Sequence, residues 1–220
     1  ISQAGVADTL ITSTGSTDNS GGTLISNGLK LSLQLGSLNN TQGQINHLGA
    51  GQLTLDTGTL NNAGGNINAA QLSITATDLN NRAGNIVQSG SNATTLAVSN
   101  LLDNTSGNIQ TNSADLSLSP QILINDNGSI THTGQGTLNI STGALSNNTG
   151  TLGTNGQLSI DAASLSNRSG KLIQAGTANT HISSLGAAYN TGGNIASNGQ
   201  ITFRAASLAN QGGNFSANGR

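Results

Sequence analysis

Large apolar side chains return along this chain at fixed places in a polar frame. The stretch Leu38-Asn39-Asn40-Thr41-Gln42-Gly43-Gln44-Ile45 sets the pattern L-x-N-x-x-G-x-I, which recurs from one end to the other. Its glycines are Gly22, Gly43, Gly65, Gly84, Gly107, Gly128, Gly150, Gly170, Gly193 and Gly213. Successive gaps are 21, 22, 19, 23, 21, 22, 20, 23 and 20 residues. Three residues before each glycine stands an asparagine: Asn19, Asn40, Asn62, Asn81, Asn104, Asn125, Asn147, Asn167, Asn190 and Asn210. Two residues after each glycine the side chain is always large and apolar, as in Ile45, Ile67, Leu152 and Phe215.

A second apolar pair precedes each motif, for example Leu53/Leu55, Leu72/Ile74, Leu138/Ile140 and Ile201/Phe203. Alternation at period two, bounded by Gly, Asn and Ser, predicts short strands of about 3–5 residues, two or three per unit. Nothing repeats at 3.6 with helix-forming neighbours. One such unit cannot bury its apolar side alone, so successive units stack, strand on equivalent strand. The expected fold is all-β: a right-handed parallel β-helix of about ten coils, each near 21 residues. At about 4.8 Å per coil the rod is roughly 45–50 Å long.

The aligned asparagines read as a structural ladder, each bonded to the one above and below. The aligned glycines read as the positions that take a positive φ. The gaps also alternate. Short units run from Gly22, Gly65, Gly107, Gly150 and Gly193, and long ones lie between them. Long units carry His47-Leu48-Gly49, Gln88-Ser89-Gly90, His132-Thr133-Gly134 or Gln174-Ala175-Gly176, where a wider bend is expected.

Composition narrows the function. Charged residues are 6% of the chain, every acid is Asp, and there are 31 Gly, 31 Asn, one Pro and no Cys, Met or Trp. A net charge of −2 with three aromatic residues leaves no footprint for nucleic acid. No apolar run approaches the roughly 20 residues of a membrane-spanning helix. The acids Asp8, Asp18, Asp56, Asp78, Asp103, Asp115, Asp126 and Asp161 do not gather in one column of neighbouring units. Carboxylate-based glycoside chemistry therefore has no constellation, and the expectation is no enzyme, no cofactor and no metal. His47 and His132 are equivalent but four units apart, and read as structural or solvated residues. Arg82 and Arg168 read as lone solvated charges, and Tyr189 as pointing outward. An ice-binding face needs a Thr ladder, whereas the outward column reads Lys30, Thr54, Ser73, Ala97, Ser117, Asn139, Ser159, Thr202.

The motif and its spacing, in an Asn/Gly/Ser/Thr-rich chain without Cys, resemble the shaft repeats of filamentous haemagglutinin. They are similar too to those of the contact-dependent inhibition (CDI) exoproteins of Gram-negative bacteria. The resemblance covers residues 17–220. It implies that residues 1–220 are a single β-helical segment, a fragment of a much longer exoprotein. It further implies export by an outer-membrane two-partner secretion transporter and a place outside the cell or on its surface. Such a segment serves as a stalk for a distal adhesin or toxin region, which would meet the host or target-cell surface. The alternative is an adhesive module that binds through the long-coil face of the rod.

Overall fold

The computed structural model describes residues 1–219 and shows a parallel β-solenoid of about ten stacked turns. Among the described residues there is no helix. Each coil is numbered here from its motif asparagine, so coil 1 runs 19–39, coil 2 runs 40–61, and coil 6 runs 125–146. A strand lies after each motif glycine, and a longer one follows the opposite corner and runs back to the next asparagine; in coil 5 it is split into Leu116–Leu118 and Ile122–Ile124.

Every ladder is parallel and joins equivalent residues of neighbouring coils. Ile45 pairs with Leu24 on one side and Ile67 on the other. Leu138 pairs with Leu116 and Leu158. Alternation then settles what is buried. The inward column Ile45, Ile67, Ile86, Ile109 and Ile130 has no exposed surface, and Leu53, Leu72, Leu116, Leu138 and Leu158 are equally enclosed. These stacks of like on like fill a narrow interior in which a methylene more or less would be felt. The two phenylalanines meet edge to face between the last two coils, Phe203 against Phe215, with ring centres 5.1 Å apart.

Two expectations change here. The strands after most motif glycines keep to the expected length, as Asn108–Thr111 does, but those that follow or run through the opposite corner are far longer: Gln44–Asn61 spans 18 and Asn66–Asn80 spans 15. Coils of the same shape keep pairing around the gentler bend, as Leu35 with Thr57 and Ser37 with Thr59 do across Gly58. The outward column also shifts. Thr54 pairs with Ser32 rather than Lys30, and Ser73 with Thr95 rather than Ala97. Coils of 19 to 23 residues let a count from the sequence slip by two places, which preserves the face but misaligns the partner.

Candidate functional site

Two corners of the coil carry most of the buried polar chemistry. At the first, the side-chain amide of each motif asparagine donates from Nδ2 to Oδ1 of the asparagine in the next coil. All nine such bonds, from Asn19 to Asn210, measure 2.7 Å. The same amide also reaches the carbonyl of its own motif glycine, 3.2 Å away for Asn104 and Gly107. In the other direction the glycine amide donates to the asparagine carbonyl, as from Gly107 to Asn104 at 2.9 Å. From Asn40 to Asn190 the column is buried. Every amide points the same way along the rod, so each bond polarises the next.

The motif glycines do not take the positive φ expected of them. That conformation falls one residue earlier, at Gly21, Gln42, Gly64, Ala83, Ser106, Asn127, Thr149, Ser169, Gly192 and Gly212, with φ between 52° and 65°. Six of those ten are not glycine, so the turn geometry overrides a preference worth about 1–2 kcal/mol. Space is what demands the motif glycine. A Cβ on Gly107 would lie 2.6 Å from Asn104 Oδ1 and closer still to the carbonyl oxygen of Asn81 in the coil before. The same collision recurs at Gly43, Gly65, Gly84, Gly128, Gly150, Gly170, Gly193 and Gly213, while Gly22 meets only Asn19.

At the opposite corner a second inward column alternates in size. Ser26, Ala69, Thr111, Thr154 and Ser197 occupy the short coils; His47, Gln88, His132 and Gln174 occupy the long ones. The extra loop residues of a long coil therefore widen the bend around a larger inward side chain. That side chain ties down the loops. Gln88 Nε2 donates to the Gly90 and Asn92 carbonyls at 3.0 and 2.7 Å. Gln174 Nε2 donates to the Gly156 carbonyl at 3.0 Å, and its Oε1 accepts from the Ser197 hydroxyl.

The two histidines are buried, not solvated, at 2% and 0% exposure. His132 Nε2 lies 2.8 Å from the Ser113 carbonyl, which can only accept; in the neutral ring Nδ1 then accepts from the Thr154 hydroxyl at 3.0 Å. His47 has neither partner: Ala69 stands where Thr154 stands, and both ring nitrogens are unbonded. Counting two residues on from the Ile column would have placed both rings inside, since inward positions alternate. Thr180 is a related anomaly, a hydroxyl without a partner in a column otherwise filled by Leu158 and Ile201.

The arginines are not lone charges either. Arg82 Nη1 donates to Asp103 Oδ2 at 3.0 Å. Arg168 stacks over the half-exposed ring of Tyr189, 4.4 Å from its centre. Burial pushes the Asp103 carboxyl up, but hydrogen bonds from the Thr105 hydroxyl and amide, with Arg82, hold it below its ordinary value. An open groove of about 990 Å³ follows the gentler bend past Gln34, Asp56 and Thr75. It offers short polar groups and one carboxylate. Among the described residues no three His, Cys, Asp or Glu side chains come together as metal ligands would, and no helix is long and apolar enough to cross a membrane.

Comparison with known proteins agrees with this architecture. The haemagglutinin repeat model matches residues 3–50, 133–192 and 179–220. The tRNA nuclease CdiA-2 of Burkholderia pseudomallei (strain 1026b) is 39% identical over 89 residues, which are 39% of this chain and 3% of that protein. No solved structure matches. With the repeat model laid over well more than half of these stacked coils, the chain belongs to the haemagglutinin repeat family.

Proposed function

We propose that this segment is a length of shaft within a filamentous exoprotein, holding a distal adhesin or toxin region away from the cell. One observation carries this reading: the repeated polar groups are turned along the axis and consumed by the neighbouring coil. The asparagine ladder bonds only within the stack, and the long-coil side chains point inward. A corner that fills itself is a poor adhesive face, which favours the shaft over a binding module. By the same logic the segment performs no catalytic step and holds no cofactor. The name of the relative places a nuclease in a protein of which these repeats match only 3%, so the effector lies elsewhere in such a chain. Export through a two-partner secretion transporter and display at the cell surface follow from family membership.

The test is to remove one long and one short coil together. Deleting residues 125–166 from the parent exoprotein joins Ile124 to Asn167 and preserves both the ladder and the size alternation. Surface display and activity on target cells should survive unchanged. Loss of activity with display intact would show that these coils bind something themselves.

A further inference from the structure

One face of the rod is self-complementary in charge and shape. The stacked turns put Asp126, Asn148 and Arg168 in one outward column, since the Asn127 amide donates to the Asn148 carbonyl and the Thr149 amide to that of Arg168. Asp126 and Arg168 thus lie one coil either side of Asn148, about 10 Å apart. Each is held in place without an opposite charge. The Ser146 hydroxyl and the Asn148 amide bond the Asp126 carboxylate at 2.7 and 2.8 Å, and Arg168 rests on Tyr189. Beside this column runs an apolar one. Leu101 pairs with Ile122, which is 42% exposed, and Ile122 with Ala144, level with Asn148. The column continues through Ser164 to Ala187, and just before Ala187 a register shift from Ser184 puts out Leu185 beside it at 81% exposure. Bulges often re-aim a side chain in this way. A pocket of about 210 Å³ between Ile122 and Tyr189 lies within the same face.

We propose that this face docks a second copy of the chain, antiparallel, about a two-fold axis at the level of Asn148. Such an axis lies in the contact plane, reverses the rod direction and sets every column against itself. Each Asp126 then faces Arg168 of the second copy, twice over. Ala187, two coils to one side of the axis, meets Leu101, two coils to the other, and Leu185 stands at the edge of this strip. The same axis brings two Asp–Arg pairs into register at once, and that charge self-complementarity about Asn148 selects a second copy as the occupant. The strip covers only about five coils, or roughly 20 Å, so the dimer is weaker than a standard interface of about 800 Å² per partner.

Sedimentation equilibrium of the chain over a concentration series reaching about 1 mM tests this. The expected result is a closed monomer–dimer equilibrium that weakens with salt. Arg168→Asp should weaken it about tenfold or more, and adding Asp126→Arg should bring it back to within about threefold. Leu185→Ser, at a fully solvated tip, should weaken it without touching the fold, as circular dichroism melts would check. A monomer at every concentration overturns the proposal. So does a dimer indifferent to Arg168→Asp and Leu185→Ser, or an open-ended series of oligomers indifferent to both, which would mean end-to-end stacking.

Discussion

The two corners of the coil solve one problem in different ways. Each bend strands polar backbone groups inside a stack that water does not reach, and buried polar groups need partners. At the first corner one residue type, Asn, meets the need in all ten coils, because each amide is both donor to one neighbour and acceptor from the other. Changing one link harms two bonds. At the opposite corner the requirement is a pair of volumes, small then large, and Ser, Ala or Thr alternate with His or Gln. Identity is enforced where a contact must propagate, and only size where it need not.

The sharpest way to break that contrast is at the motif glycine. Gly107→Ala should cost about 3 kcal/mol or more in urea unfolding, because its Cβ has backbone carbonyl on the far side and nothing yields. A loss below about 1 kcal/mol would mean that the coils separate easily. Next comes the same apolar change at both corners. Asn104→Leu leaves the Asn81 amide only its longer bonds to the Gly84 and Asn108 carbonyls and strips the Asn125 side-chain oxygen of its ladder donor, and should cost about 3 kcal/mol. Gln88→Leu sits beside a solvated loop and should cost about half as much. Equal losses would erase the distinction.

Ala69→Thr sharpens it from the other side. The new hydroxyl should stand beside His47 as Thr154 stands beside His132, and raise stability by about 1 kcal/mol. No gain would mean that the His47 ring is not placed like that of His132. Thr180→Val should also stabilise by about 1 kcal/mol, since it removes an unpartnered buried hydroxyl without changing shape. The smallest effect belongs to the ion pair of Asp103 with the exposed Arg82. The Asp103 carboxyl is held below its ordinary value of 3.8, so its contribution is present above that value and is lost as pH falls through the lower, folded one. Wild type should melt about 2 °C or less above Asp103→Asn near pH 6, and the difference should close below about pH 4. A gap that widened on acidification would reverse the assignment.

Much of this was legible in the sequence because one-dimensional stacking turns spatial columns into periodic spacings. The Asn and Gly columns, the apolar columns and the long–short alternation could all be counted. The cause of the glycine could not. A close approach between coils and a positive φ leave the same glycine in the sequence, and the true left-handed position is spread over Gly, Gln, Ala, Ser, Asn and Thr. Charge pairing was hidden for another reason. Arg82 reaches Asp103 and Arg168 reaches Tyr189 from the next coil, about 21 residues away, and only a fixed register reveals such neighbours.

Amide hydrogen exchange, read residue by residue in the intact chain, tests the contrast most directly. At the asparagine corner the amides of Ala83, Ser106, Asn127 and Thr149 donate to the next coil; at the opposite corner Ser89, Asn112 and Thr133 donate to the coil before. The expected result is slow, uniform exchange at the first corner and faster exchange, varying from coil to coil, at the second. Equal protection at both corners, or greater protection at the alternating one, would contradict the claim that the asparagine ladder holds the coils together.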